Sequence, residues 1–238
     1  MNFISLRFKI RCYLGESHIG HQLLKAYTGY SNKIACSKTK ICLEGYPRSG
    51  NSFLFNLVSK RVKEGTRIAH HVHVPSQIEV SIRSGAHCFV LIREPSAAIA
   101  SAIVSSDMKL SENVACQSYL NFYQHLLHRW ESCNVIEFEE IINHTQLLLR
   151  KMSILTNGLI QNCRFESHER DTIFKHLDSH NRKMKQSINL MARPSRDRDE
   201  LKQNAKARVI NSQYFGDCQQ LYELIKMKGT CLSENTAL

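Results

Sequence analysis

The sequence predicts an α/β fold in which helices flank a central parallel β-sheet and a helical region follows at the C-terminal end. Between about residues 38 and 160, short apolar segments alternate with amphipathic ones, as in strands connected by helices. The segment HCFVLIRE (87–94) is continuously apolar, which is typical of a strand covered on both faces of a parallel sheet. From about 165 to 230 the chain is polar and helical in pattern.

Individual elements follow from the same periodicities. The predicted strands are KTKICLEG (38–45), HCFVLIRE (87–94) and CNVIEF (133–138). The predicted helices are 51–65, 95–106, 112–130, 139–152 and 212–228. Pro95 is well placed in the first turn of its helix, since a first-turn residue needs no N–H donor. Strands and helices therefore alternate through the first two thirds of the chain.

The whole chain, residues 1–238, is predicted to be one domain, with a core over about 38–160 and C-terminal helices over about 165–230. The sequence contains no internal repeat, no low-complexity tract and no long Pro/Gly/Ser linker. Hydrophobic residues make up 42% and charged residues 22% of the chain, the composition of a folded globular protein.

Net charge and cysteine content restrict the function classes. The formal charge of +11 suits a polyanionic partner: nucleic acid, an anionic membrane surface, or a phosphorylated or sulfated ligand. Nine scattered cysteines without a Cys-x-x-Cys pair indicate buried reduced thiols rather than disulfides or zinc. Basic residues interrupt the N-terminal stretch MNFISLRFKIRCYLG, and no apolar run reaches the ~20 residues of a membrane span. We expect a cytoplasmic protein without peripheral membrane contact.

The segment EGYPRSGNSF (44–53) lies between a predicted strand and a predicted helix. Gly45 and Gly50 have the spacing of a Walker A phosphate loop, but Asn51 stands where that loop has its lysine, which disfavours an ATPase or GTPase. Backbone N–H groups from Ser49 to Phe53 at a helix N-terminus still suit an anion, and Arg48 supplies a cation. The alternative is a tight turn that happens to contain glycine.

A second candidate anion site is LIREPSAAIAS (91–101), where Arg93 ends a strand and Ser101 lies two turns into the next helix. Ligands of open parallel sheets bind at the carboxyl ends of strands, so this segment and the loop are expected to face one crevice. A solvated arginine is the alternative.

The third segment, HHVHVP (70–75), is predicted to hold His71 and His73 on one face of a strand. No carboxylate or cysteine stands at a metal-ligand spacing nearby, and the sequence has no His-Glu-x-x-His, so we expect no metal. A histidine beside an anion site suits a general base, whereas a half-buried structural histidine is the alternative.

Taken in this order, the three segments resemble the sulfotransferases that use 3′-phosphoadenosine 5′-phosphosulfate (PAPS), a family with a P-loop-type sheet. YPRSGNSF is similar to the family's 5′-phosphosulfate loop, Tyr-Pro-Lys-Ser-Gly-Thr-Thr-Trp, with Arg48 on the lysine. REPSAAIAS is similar to its 3′-phosphate motif, with Arg93 and Ser101 on the arginine and serine. HVHVP is similar to Lys-x-His-x-Pro, which places His73 on the catalytic base and His71 on the lysine. VIEFEEI (135–141) resembles a strand-end motif of many members.

The resemblance implies a transferase that moves a sulfuryl group from PAPS to a hydroxyl or amine, without a metal. The implied catalytic residues are Arg48 and His73. The implied PAPS-binding residues are Arg48, Ser49, Gly50, Asn51, Ser52, Phe53, Arg93 and Ser101. The acceptor is expected to be a small molecule or a glycan, and the basic charge suits an acidic glycan. Arg193, in ARPSRDRDELK (192–202), is a candidate for one more cofactor contact.

Three other interpretations fit parts of the pattern. A small-molecule kinase with a degenerate P-loop would depend on ATP and magnesium. A nucleic-acid-binding module would fit the basic charge, but the sequence lacks aromatic residues interleaved on a basic stripe, so no nucleic-acid partner is expected. A catalytically inactive relative would gain thermal stability from nucleotide without turning over any acceptor.

Overall fold

The computed structural model of the chain describes residues 32–183 and 196–234, together with 15, 17 and 19–23. Four strands form one sheet: β1 (Ile41–Gly45), β2 (Ile68–His70), β3 (His87–Ile92) and β4 (Cys133–Glu137). Their order is β2-β1-β3-β4, and all three pairings are parallel. The predicted α/β class with a central parallel sheet is confirmed.

Helices connect the strands and form the C-terminal region. Those up to β4 are α1 (Asn51–Ser59), α2 (Pro75–Arg83), α3 (Pro95–Ser105), α4 (Glu112–Gln124) and a 3₁₀ helix (Leu127–Ser132). After β4 come α5 (Phe138–Asn143), α6 (Thr145–Leu155), α7 (Ser167–Lys183), α8 (Arg196–Ile210) and α9 (Phe215–Glu234).

The helices cover the sheet on both faces. On β3, Cys88, Val90 and Ile92 point to a core shared with α2, α3, α4, α8 and α9. Phe89 and Leu91 alternate with them and point to a second core, shared with α1, α5, α6 and α7. This two-sided burial explains why the segment 87–94 is apolar without alternation.

The strand order positions a binding crevice. From β1 the chain runs outward to β2, then returns to the other side of β1 as β3 and continues to β4. The direction of winding therefore reverses between β1 and β3, where parallel sheets bind ligands at the carboxyl ends of their strands. The loop after β1 and Arg93 after β3 lie at this point.

Several element boundaries differ from the sequence expectation. Helix α1 ends at Ser59 rather than at 65, because Val62 pairs in a short antiparallel bridge with Ile160. The expectation that His71 and His73 lie on a strand is wrong: β2 ends at His70, and the two residues have φ angles of 60° and 56°. The predicted helix 112–130 becomes α4 and the 3₁₀ helix, and 139–152 divides at His144 into α5 and α6.

Cysteines in the described part of the chain are all without disulfide bonds, as expected. Five of them are buried, whereas Cys36 is half-buried and Cys163 is exposed. The side chains of Cys12 and Cys231, like the N-terminal stretch up to Leu14, lie outside the described residues. No helix within the described ranges is long and apolar enough to cross a bilayer.

An ion pair joins α7 to the segment after α1, and its contribution to stability is expected to depend on pH. Buried Arg61 donates two hydrogen bonds to Glu169, at 3.0 and 2.8 Å. Desolvation opposes ionisation of Glu169, but hydrogen bonds from the Glu166 N–H and Arg61 outweigh it and lower the pKa of Glu169. A lowered pKa stabilises the fold above the unfolded-state value, about 4.3, and this stabilisation is lost as pH falls through the folded-state pKa.

We expect Glu169→Gln to lower the free energy of unfolding at pH 7 by about 2 kcal/mol, because it leaves the buried guanidinium without its carboxylate. The difference from wild type should begin to shrink as pH falls below about 4.3 and should vanish only below the lowered folded-state pKa, where Glu169 is protonated in both folded and unfolded wild type. Thermal unfolding between pH 3 and 8 measures both effects. The control is Glu79→Gln, since its partner Arg83 is 59% exposed and the pair contributes at most about 0.5 kcal/mol. Equal losses in the two variants would contradict the assignment.

Candidate functional site

The loop between β1 and α1 requires both of its glycines. At Gly45 a Cβ atom would lie 2.4 Å from the carbonyl oxygen of Leu91, so β1 and β3 approach too closely for a side chain. Gly50 has φ 94°, and a Cβ there would lie 2.9 Å from Ile141 Cδ1. The glycines of the sequence motif therefore let the loop curl tightly between the sheet and α5.

Helix α1 presents polar groups to the loop. Gly50 precedes its first residue, and no hydrogen-bond acceptor for the N–H groups of Asn51, Ser52 and Phe53 is found among the described residues. The Asn51 side chain donates from Nδ2 to the Tyr46 carbonyl at 3.1 Å, while its buried Oδ1 has no partner in the described part of the chain. Unsatisfied N–H groups at a helix N-terminus favour an anion.

Two arginines and Ser101 converge on this loop. Arg48 Nε donates to Ser101 Oγ at 3.1 Å, and Arg93 donates from Nη1 to the Arg48 carbonyl at 2.9 Å. The Arg93 guanidinium also lies 4.1 Å from the centre of the Phe138 ring. The two anion sites expected from separate motifs are thus adjacent, at the carboxyl ends of β1 and β3.

A third arginine, Arg198 on α8, was missed at the sequence level. Its buried side chain lies close to Arg48, because α8 packs along α3. Burial, followed by the positive charges of Arg198 and Arg93, lowers the pKa of Arg48 to about 10. All three guanidinium groups remain charged at neutral pH. Arg198 lies in the segment ARPSRDRDELK, but the candidate predicted from that segment was Arg193, which lies outside the described residues.

Carboxylates offset only part of this positive charge. Burial lowers the pKa of Arg93, against the opposing charges of Glu139 and Glu94. Burial also lowers the pKa of Arg198, and the negative charges of Asp199 and Asp178 oppose this effect. For Arg48, burial acts together with the positive charges of Arg198 and Arg93.

Tyrosines of α4 hold the loop and the end of β3 in place. The Tyr123 hydroxyl accepts from the Tyr46 N–H at 3.3 Å and donates to the Leu91 carbonyl at 2.7 Å. The Tyr119 hydroxyl donates to the Arg93 carbonyl at 3.0 Å. Burial raises the pKa of both, so they remain phenols. A spacing of four residues places both tyrosines on one helix face and predicts that they pack together. It does not predict the hydrogen bonds by which they hold the loop and the end of β3.

The predicted loop residues do not all face the same way. Ser49 and Phe53 are buried, and the Phe53 ring packs in the second core, 5.5 Å from the ring of Phe174. The Phe53 side chain thus belongs to the core, and only its N–H is available to a ligand. Ser52 points to the turn after β2, where its hydroxyl lies 2.8 Å from His71 Nε2.

His70 and His71 form a connected pair beside the loop. Their Nδ1 atoms lie 2.6 Å apart, and Phe55 stacks on the His70 ring at 3.6 Å. Burial, with the charges of His71 and Lys33, lowers the pKa of His70 to about 2, so His70 is neutral. A neutral His70 can share one hydrogen bond with His71 without charge repulsion.

His73 lies beside Gly45, where the loop begins. Its Nδ1 lies 2.8 Å from the Gly45 carbonyl oxygen, which can only accept, so Nδ1 carries the hydrogen of the neutral ring. The lone pair is then on Nε2, as a general base requires. Glu44, buried in β1, accepts hydrogen bonds from the N–H groups of Val72 and His73. This carboxylate contact was not predicted from the sequence, because it depends on the turn after β2.

No model of a known protein family matches this chain. No curated protein matches its sequence. Among solved structures, a crystal structure of a mouse sulfotransferase complexed with PAP is similar, with 13% sequence identity and a TM-score of 0.41. The alignment covers 81% of this chain and 91% of the mouse chain. At this level of similarity the comparison does not assign a function.

The geometry itself defines what the site can do. Three arginines, a helix N-terminus and Ser101 provide a place for a ligand with more than one negative charge. The His73 imidazole, which has its lone pair on Nε2 when the ring is neutral, lies at the start of the same loop. The site thus combines anion binding with the means to accept a proton.

Proposed function

We propose that the protein is a sulfotransferase that moves a sulfuryl group from PAPS to a hydroxyl or amine of an acceptor. The observation that carries this proposal is the junction of Arg48, Arg93 and Ser101 at the carboxyl ends of β1 and β3, beside the helix N-terminus. PAPS has a 5′-phosphosulfate and a 3′-phosphate, which match a site with several separate cationic and N–H donors.

The residues present fit this donor substrate. The first-turn N–H groups of α1 and the Arg48 guanidinium would hold the 5′-phosphosulfate, and Arg93 with Ser101 would hold the 3′-phosphate. Asn51, whose Oδ1 is buried without a partner among the described residues, offers an acceptor within the loop. Arg198 adds positive charge next to Arg48.

In the proposed reaction the acceptor oxygen forms a bond to sulfur while the bond from sulfur to the phosphate oxygen breaks. The electron pair of that bond remains on the phosphate oxygen, where Arg48 and the loop N–H groups stabilise the growing negative charge. His73 Nε2 takes the proton of the acceptor hydroxyl. The acceptor is proposed to be a small molecule or a glycan, and the site needs no metal for these steps.

The proposal predicts selective recognition of the 3′-phosphate. Arg93→Ala should weaken the binding of adenosine 3′,5′-bisphosphate at least tenfold while changing the affinity for AMP less than threefold, since a lost charge-assisted hydrogen bond is worth about 1.5–3 kcal/mol. Isothermal titration calorimetry measures both affinities. The exposed Arg83→Ala serves as a control for the loss of positive charge.

Equal loss for the two nucleotides would contradict the assignment of Arg93. Wild-type protein that binds ATP with magnesium more tightly than adenosine 3′,5′-bisphosphate would favour the kinase instead. Incubation with ³⁵S-labelled PAPS and a cell extract, followed by identification of the labelled product, tests the transfer itself.

A further inference from the structure

Glu44 is an acidic residue in an otherwise apolar strand. Its side chain is fully buried, and its neighbours in β1 are Leu43 and Gly45. Burying a carboxylate costs several kcal/mol unless hydrogen bonds compensate it. Here the N–H groups of Val72 and His73 donate to its two oxygens at 2.7 and 3.0 Å, and Gln77 Nε2 lies 3.4 Å away. These donors favour the ionised form.

The same contacts fix the turn that carries His73. His71 and His73 both have positive φ angles, which residues other than glycine adopt at a cost of about 1–3 kcal/mol. Because each oxygen of Glu44 accepts one backbone N–H of this turn, the carboxylate holds Val72 and His73 in that conformation. The position of the imidazole therefore depends on Glu44.

The carboxylate also faces the imidazole. Glu44 Oε2 lies 3.6 Å from His73 Nδ1, and the Gly45 carbonyl accepts the Nδ1 hydrogen from 2.8 Å. His71, whose ring centre is 5.8 Å from that of His73, and His70 beyond it are further titratable groups near this ring. Neither histidine offers a negative charge, whereas the carboxylate of Glu44 lies next to the ring.

We propose that Glu44 is a positioning residue for His73: it holds the imidazole in the tautomer that has its lone pair on Nε2, and it stabilises the imidazolium formed during the reaction. When the O–H bond of the acceptor breaks, the proton passes to Nε2, and the positive charge then lies beside the carboxylate. Glu44 stays ionised throughout and gains no proton. The inference rests on the proposed function, because it gives His73 the role of the base.

Glu44→Gln tests the proposal while keeping the size of the side chain. We expect the variant to lower kcat about 10- to 100-fold, the usual effect of removing a supporting carboxylate, with binding of adenosine 3′,5′-bisphosphate unchanged within threefold. The His73 imidazole should titrate at lower pH than in wild type, because its charged form loses a nearby anion. ¹H–¹⁵N correlation spectra of the histidine rings measure this titration without PAPS or acceptor. Glu79→Gln on α2 is the matched control.

An unchanged titration of His73 in a folded Glu44→Gln protein would overturn the proposal. Should this variant not fold, the wild-type spectrum decides: the proposal requires the neutral ring to carry its hydrogen on Nδ1. The opposite tautomer would contradict it. Because these spectra contain no donor or acceptor, they test the Glu44–His73 contact separately from the sulfotransferase activity.

Discussion

Replacing Arg48 with glutamine is expected to lower sulfuryl transfer about 100- to 1000-fold, because it removes the cation that would stabilise negative charge on the departing phosphate. The experiment measures transfer of ³⁵S from PAPS to the acceptor that the wild-type protein labels in a cell extract. Exposed Arg83→Gln is the matched control and should retain wild-type activity.

The same variant separates a functional role from a structural one. Burial and the like charges of Arg198 and Arg93 disfavour the charged form of Arg48 and lower its pKa to about 10. Removing the charge should therefore leave the melting temperature of the ligand-free protein unchanged or raise it, despite the lost hydrogen bond to Ser101. A melting temperature lowered by more than about 5 °C, with proportionate loss of activity, would indicate that Arg48 serves the fold.

Arg48→Lys refines this test. Lysine keeps the charge and is the residue usual at this position in the family that the loop resembles, but it lacks the planar guanidinium that reaches Ser101. We expect it to lose less than tenfold in transfer rate. A lysine variant as inactive as the glutamine variant would show that the fork geometry matters more than the charge.

Local sequence patterns predicted the sheet and the loop because their determinants are short-range. Glycine spacing, a buried apolar run and a proline at a helix start each determine structure within about ten residues. The roles of Gly45, Gly50 and Pro95 could therefore be predicted without a structure. The ends of α1 and α4 could not be predicted in this way, because tertiary pairing and packing determine where those helices stop.

The parts of the site that were missed depend on contacts between distant segments. Arg198 joins Arg48 only through the packing of α8 along α3, across 150 positions of sequence. Likewise, His71 and His73 leave the strand pattern because Glu44, in another strand, binds the N–H groups of their turn. Alternating apolar residues in HHVHVP suggested a strand, but a buried carboxylate competed for the backbone donors and determined the conformation.

The role of His73 is best tested by His73→Asn. His73 has φ 56°, and asparagine adopts this region more readily than alanine, so the variant avoids added backbone strain. Loss of a general base should lower kcat about 100- to 10,000-fold. Because the arginines, and not His73, are proposed to hold the two phosphates, the affinity for adenosine 3′,5′-bisphosphate should stay within threefold of wild type.

Steady-state transfer from ³⁵S-labelled PAPS gives kcat, and calorimetry gives the affinity. His128→Asn, at an exposed position of the 3₁₀ helix, controls for the loss of a histidine. Since the base must be neutral to accept a proton, wild-type kcat should fall as pH drops through the titration of His73, and this descending limb should be absent from the residual activity of His73→Asn. Unchanged turnover in His73→Asn would assign proton transfer to another group. The nearest alternative is His71, whose Nε2 lies 2.8 Å from Ser52 Oγ in the loop.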